Sequence, residues 1–388
     1  MKSAPKTNPD VLAPRVRVVQ IIDGLNMDGG QKAVYHLTRH LDPKHYEVSV
    51  ISLSAKVGGL LNFRRAGIPV TSLMIDGIKE IYKLPKLRAC LSAAKPDIVQ
   101  THLQVANVVG RLTAFSLRVP VVISTVQNTY PRSQWPAMLL DRWLAPLTDQ
   151  VIAVSEPTRQ FVINQERVSE DKVTCIHNCI DVEEVDRAAN QPLPPQVEEI
   201  RQRGDLIIAV VGRLVAQKGH RYLLEAAESV INAVPRAQFV FAGQGALREE
   251  LCTSARDLGL DDHVTFLGWL PPEVTLRLLW EADLFAMPSL REGFSLALLE
   301  AMATKTAVVA TKVGGVPDVV VPGQTGMLVP PRDPTALSKA IVPLLQDADL
   351  RRQVGDRGRR RVEADFSVSY MVSSIEALYE RLLANKMQ

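Results

Sequence analysis

Leu206-Ile207-Ile208-Ala209-Val210-Val211-Gly212, followed at once by Arg213-Leu214 and then Lys218-Gly219, is the stretch whose reading decides the fold. Its unbroken apolar run, with no polar alternation, describes a strand covered on both faces, as in a parallel sheet flanked by helices. A glycine at its end and a helical pattern behind it describe a strand–loop–helix unit. The chain opens on the same plan. Arg15–Ile22, RVRVVQII, is followed by the loop DGLNMDGG and a helical stretch Gln31–Leu41. Further strands are expected at Glu47–Leu53, Ile68–Ile75, Asp97–Thr101, Val119–Thr125 and Gln150–Val154. Behind Leu206 they are expected at Gln238–Ala242, Val264–Leu267, Asp283–Met287 and Ala307–Ala310. Between the two series, Glu183–Gly204 contains QPLPPQ and a cluster of charges and reads as a linker.

Alternating strands and helices imply an α/β fold of two Rossmann-like domains with a cleft between them. The expected boundaries are a loose tail 1–14, a first domain 15–182, the linker 183–204, a second domain 205–365 and a terminal helix 366–388. Helices at Pro334–Leu345, Leu350–Ala364 and Val368–Leu383 close the chain. Ligands bind such sheets at the carboxyl ends of the strands. The first loop lacks the G-x-G-x-x-G of a dinucleotide site.

A chain of 388 residues exceeds one ordinary core. The formal charge of +3 argues against a nucleic-acid partner. It hides an asymmetry of about +7 up to Asp181 and about −4 beyond it. Cys90, Cys175, Cys179 and Cys252 fit no zinc spacing and read as buried thiols of a cytosolic protein. The first residues lack the apolar core of a signal peptide, and no apolar run reaches the length of a membrane span.

Pro288–Ala303, PSLREGFSLALLEAMA, places two carboxylates in apolar surroundings. If Phe294–Ala303 is a helix, it is hydrophobic nearly all round and therefore buried. A carboxylate inside it, Glu300, is costly unless something pairs with it. Glu292 stands eight residues earlier, about 12 Å if measured along a helix. Two acceptors at that separation suit an extended, hydroxyl-rich ligand, with amides beside Gly293 for an anionic middle. The structural alternative is a carboxylate that complements the helix dipole and a half-exposed helix residue. Arg213 and Lys218, at a strand-to-helix junction, suit a diphosphate. Ala242-Gly243-Gln244-Gly245 lets backbone approach a ligand closely, or forms a plain turn. Gly314-Gly315 and Gly323-Gln324-Thr325-Gly326 follow later.

In this order, GRLVAQKG, FAGQGALREEL, VTFLGWL, PSLREGFSLALLEAMA, VGGVPDVV and GQTGMLVPPRD resemble retaining glycosyltransferases of the GT-B class. The nearest likeness is to the family 4 enzymes that build bacterial polysaccharide, lipopolysaccharide and glycolipid. The resemblance implies that Arg213 and Lys218 bind the donor diphosphate and that Glu300 accepts from the ribose hydroxyls. It implies that Glu292 holds sugar hydroxyls, while Gly293, Phe294, Ser295 and Leu296 cap the sugar and phosphate. Gly243 and the stretch at Leu267 and Gly268 would flank the donor and its base. Gly29 and Gly30 would meet the donor phosphate and the approaching acceptor. Tyr370 and Tyr379 lie on a terminal helix that crosses back to the first domain in this class.

The front half departs from the family. Gln31 follows Gly29-Gly30 where an acidic residue is often near, and Asp28 is the local acidic option. His102 ends a strand facing the expected cleft and is the candidate for direct action there. Gln127 stands where a histidine is usual, and an amide cannot act as a general base. His177-Asn178-Cys179-Ile180-Asp181 replaces a hinge glycine by Cys179. The expected chemistry is hexosyl transfer from a nucleotide sugar, UDP- before GDP-, to a glycan or lipid-linked acceptor with retention. The departing phosphate would take the acceptor proton while Arg213 and Lys218 stabilise it. No cofactor or metal is required in that account, and Asp347-Ala348-Asp349 reads as surface structure. A basic front surface including Arg64, Arg65, Lys79, Lys83, Lys86 and Arg88 suggests peripheral contact with an anionic membrane from the cytoplasmic side. The competing readings are a nucleotide-sugar 2-epimerase of the same fold and an inactive nucleotide-sugar-binding subunit.

Overall fold

The computed structural model describes residues 15–25, 29–54, 58–75, 84–129 and 135–387. The tail 1–14, Asp28, Lys79 and Lys83 lie outside the described residues. Two sheets carry the chain. The first has seven strands, β1 (Val16–Ile22), β2 (Tyr46–Ser52), β3 (Val70–Ser72), β4 (Ile98–His102), β5 (Val121–Val126), β6 (Gln150–Ala153) and β7 (Val173–Cys175), in the order β3-β2-β1-β4-β5-β6-β7. The second has six, β8 (Leu206–Val211), β9 (Ala237–Ala242), β10 (Val264–Gly268), β11 (Leu284–Met287), β12 (Ala307–Thr311) and β13 (Met327–Val329), in the order β10-β9-β8-β11-β12-β13. The pairings are parallel: Ile22 sits opposite His102 between β1 and β4, and Val211 opposite Ala242 between β8 and β9. In each sheet the strand order reverses beside its first strand, which opens a crevice at the carboxyl ends there.

The continuous apolar run of β8 has a direct cause. Ile207 and Ala209 join one core with Val240, Phe285, Val308 and the helix Leu296–Ala303. Ile208 and Val210 join the opposite core with Phe239, Phe241 and the helices His220–Ala233 and Pro334–Gln346. Glu183–Gly204 is not extended chain. Helices Val182–Ala188 and Pro195–Gln202 lie on either side of its proline-rich stretch, and Val185, Ala188, Val197 and Ile200 are buried in the first of those cores.

Three local expectations change. Ile68–Ile75 forms only a short strand at Val70–Ser72, since Pro69 has no N–H to give the ladder. Strands Val173–Cys175 and Met327–Val329 carry too few residues for a readable period. The apolar helix begins at Leu296 and not at Phe294, because Ser295 is its N-cap and accepts from Leu298 N–H.

By contacts the chain divides into two units: Met1–Thr125 with Leu140–Val151 and Glu376–Gln388, and Val126–Leu139 with Ile152–Ile375. The terminal helix Val368–Met387 thus ends in the first unit. There the fully buried Tyr379 accepts from Gln20 Nε2 at 3.0 Å and donates to Gln100 Oε1. Gln100 donates on to Thr125 Oγ1 at 2.9 Å. A polar ladder therefore runs through an otherwise apolar sheet and is satisfied only when the helix is in place.

Candidate functional site

The second unit gathers its loops at the carboxyl ends of β8, β9 and β11. Gly243 N–H donates to Gly268 O at 2.7 Å, and Leu214 N–H to Gln244 O at 2.9 Å. Two positions show why glycine stands in these loops. At Gly219, with φ 64°, an added Cβ would lie 2.1 Å from Pro288 O. At Gly314, with φ 47°, it would lie 1.6 Å from Glu292 O. Backbone stacks on backbone here, and no side chain fits between.

Within this frame Lys218 Nζ donates to Glu292 Oε1 at 2.6 Å, and Ser289 Oγ donates to the same oxygen at 2.6 Å. Glu292 is buried, so the ion pair offsets the cost of its desolvation. Gln217 Nε2 donates to Arg291 O at 2.8 Å and ties the two loops again. The buried His220 ring holds Arg213 O at 3.1 Å. The Arg213 side chain itself is exposed and meets no carboxylate among the described residues. One cation is thus committed to a carboxylate while its neighbour is open to a ligand anion.

Glu292 lies in the loop before the helix, so the 12 Å helical measure does not apply to the two carboxylates. Glu300 lies four residues after Leu296, about 6 Å along the helix. It is buried, with nearly every other residue of that helix. Gly293 leaves no room for a Cβ, which would come 2.3 Å from Gln127 O. Gln127 therefore does lie against this loop, and its Oε1 accepts from Asn178 Nδ2 at 2.8 Å. Phe294 packs its ring 5.4 Å from His177 and 5.9 Å from Phe366. Leu267 is half-buried in β10, beside an irregularity between Phe266 and Gly268. Gln217 and Asn178 were not legible as supports, because their partners are remote in sequence; Ser289 stands only three residues from Glu292 and was locally available to it.

The remaining candidates belong to the first unit. Gly29 and Gly30 begin the helix Gly29–His40. His102 is buried and donates from Nε2 to Gln20 Oε1 at 2.6 Å. Burial pushes its pKa down to about 3, so the ring is neutral at physiological pH. Asp347 caps the helix Ala348–Asp365 through Leu350 N–H, and Asp349 pairs with Arg352 at 2.8 Å. The expectation of buried thiols needs correction. Only Cys179 is buried, while Cys90, Cys175 and Cys252 are half-buried, and all four are free. Apolar neighbours in sequence do not fix which face of an element a thiol occupies.

Two parallel sheets of this strand order form an α/β architecture that, with the family matches and structural relatives below, places the chain in the GT-B class of glycosyltransferases. The chain belongs to the family 4-like branch of that class. The family described as Glycosyltransferase Family 4 matches residues 27–184, and Glycosyl transferases group 1 matches residues 196–361. The chain is 29% identical to the UDP-Gal:alpha-D-GlcNAc-diphosphoundecaprenol alpha-1,3-galactosyltransferase of Escherichia coli, over 82% of this chain and 84% of that one. It is 26% identical to the capsular polysaccharide biosynthesis glycosyltransferase CapM of Staphylococcus aureus, over 88% and 92%. Its fold matches Anabaena HepE, solved in complex with UDP, with a TM-score of 0.81, 19% identity and coverage of 94% and 100%.

Proposed function

We propose that this glycosyltransferase moves a hexosyl group from a uridine diphosphate sugar to a glycan or lipid-linked acceptor, with retention, in cell-envelope polysaccharide or glycolipid synthesis. The observation that carries the reading is the Lys218–Glu292 pair at 2.6 Å, set beside an exposed Arg213 at the end of β8. Arg213 supplies a planar fork for two phosphate oxygens, and Lys218 a point charge. Glu292 holds Lys218 in place and offers its second oxygen to sugar hydroxyls. Glu300 accepts from the ribose. The amides of Gly293, Phe294 and Ser295, at the start of the capped helix, face the anionic part of the donor. His102, kept neutral, serves as a hydrogen-bonding group and not as a base. The leaving phosphate takes the acceptor proton, stabilised by the two cations.

The uridine preference draws on the UDP-Gal donor in the name of the Escherichia coli relative and the UDP bound to the structural relative. The former also motivates a diphosphate-lipid acceptor. A thermal-shift screen against UDP-, GDP- and ADP-sugars tests the donor, with the largest rise expected for a UDP-sugar. Free nucleoside diphosphate should appear only when acceptor is added. Its release without acceptor, or its absence with every acceptor tried, would favour the epimerase or the inactive subunit instead. Turnover should persist in EDTA. Loss of activity on chelation, restored by magnesium or manganese, would overturn the account in which two side-chain cations carry the phosphate charge.

A further inference from the structure

Among the described residues, Cys175, His177 and Asp318 form one of the clusters of ligating side chains that stand outside the proposed donor contacts. Cys175 closes β7, His177 follows two residues later, and Asp318 lies in the short helix Val316–Val319. His177 Nε2 is 3.7 Å from Cys175 Sγ and 3.4 Å from Asp318 Oδ2, and the three ligand atoms all lie within 4.8 Å of one another. The side chains of His177 and Asp318 are 26% and 15% exposed, so the cluster is sheltered but open on one side. Asp318 Oδ2 also accepts from Glu156 N–H at 2.6 Å, which fixes the carboxylate in place. All of these residues belong to the second unit.

We propose that Cys175, His177 and Asp318 form a binding site for a borderline-soft divalent cation, zinc above all. The separations carry this. Zinc bonds of about 2.3 Å to sulfur and about 2.0–2.2 Å to nitrogen and oxygen place tetrahedral ligand atoms about 3.3–3.6 Å apart. The His177–Cys175 and His177–Asp318 separations, 3.7 and 3.4 Å, are close to that before any ion is added, and the thiol and carboxylate lie within 4.8 Å of each other. A thiolate, an imidazole and a carboxylate together favour zinc or cobalt over magnesium or calcium, which prefer all-oxygen shells. Binding releases the thiol proton to solvent as the sulfur–metal bond forms, and the His177 ring coordinates in its neutral state. Three protein ligands leave the fourth position to water.

Such an ion would be structural. It would tie the segment after β7 to the loop Gly314-Gly315, which packs directly on the backbone of Glu292 and Gly293. His177 also stacks near Phe294 of the donor loop. The site does not depend on the donor assignment, and its test does not use activity.

Reduced full-length protein, freed of metal by chelator and gel filtration, is titrated with cobalt(II) and followed by absorption. The expected result is a thiolate-to-cobalt charge-transfer band with tetrahedral d–d bands, saturating at equimolar metal and bleached by zinc. Cys175→Ser removes the charge-transfer band, and Asp318→Asn weakens cobalt binding by about tenfold or more. Cys179→Ser, a buried thiol outside the cluster, keeps both. A wild-type protein with no charge-transfer band overturns the proposal, and so does a folded Cys175→Ser variant with the same band. Either result leaves a His177–Asp318 hydrogen bond with a bystander thiol. Should Cys175→Ser fail to fold, the wild-type spectrum and Asp318→Asn still decide.

Discussion

Arg213 and Glu300 are the two side chains on which donor affinity should turn. One is an exposed guanidinium at a strand end, the other a carboxylate inside a helix that is otherwise apolar and buried. Each is assigned a charge-assisted hydrogen bond to the donor. Arg213→Ala and Glu300→Ala should therefore each weaken UDP-sugar binding by about 1.5–3 kcal/mol with the fold intact. Calorimetric titration reads this directly, and wild-type affinity in both folded variants would remove the assignment. His102 makes a separate prediction about stability. Its pKa falls from an ordinary 6.5 to about 3 through burial, so between those values the unfolded chain binds a proton that the native chain does not. Stability from this group is complete above about pH 6.5 and is lost as pH falls toward 3. His102→Asn should flatten the fall of melting temperature across that window. An unchanged slope would mean that other groups dominate acid unfolding.

At the scale of elements, the proposed donor site is a stack of loops whose spacing is set by glycine. Gly314 and Gly323 separate two costs of adding a side chain. Both have φ in the left-handed region, 47° and 73°. An alanine Cβ at Gly323 meets nothing within 4 Å, while at Gly314 it meets Glu292 O at 1.6 Å. Gly323→Ala should cost only the backbone penalty, about 1–3 kcal/mol. Gly314→Ala should cost more, and it alone should also weaken donor binding, because Glu292 must move. Denaturant melts paired with donor titration on both variants check this, and equal effects on binding would contradict it. The periodic elements were legible: β8 and the three closing helices lie within a few residues of their expected bounds, since long apolar periods survive any tertiary context. The start of the helix Leu296–Ala303 was not: Phe294 prolongs the apolar run, but Ser295, whose hydroxyl accepts from Leu298 N–H, is the N-cap.

For the whole molecule, the remaining question is where the acceptor is met. Among the described residues no helix is long and apolar enough to cross a membrane. Of the front-half cations, Arg64, Arg65, Lys86 and Arg88 are each exposed. Exposed apolar side chains accompany them: Leu61 and Met74 are each 61% exposed and Phe115 58%. Arg88 donates to Ser116 Oγ at the end of the helix Gln104–Ser116. Each cation near an anionic leaflet contributes about 1 kcal/mol, weakened by salt. The protein should therefore co-sediment with anionic vesicles at low salt and leave them at high salt. Arg64→Glu with Arg88→Glu should abolish sedimentation. Failure to bind anionic vesicles at low salt would point to a soluble acceptor.

The sequence by itself determined the two βα series, which the structure shows as two parallel sheets. Runs such as Leu206–Val211 need cover on both faces, as a parallel sheet flanked by helices gives, and that constraint is local. It also identified Arg213, Lys218, Glu292 and Glu300 as charges in unusual settings. Only the tertiary structure decided which of them touch. Lys218 and Glu292 are joined at 2.6 Å across 74 residues of chain, and Tyr379 meets Gln20 across 359. It also brought Asp318 to His177 across 141 residues, beside Cys175. Such pairs follow from how sheets and loops stack in space, and no spacing along the chain encodes a distance between strand ends.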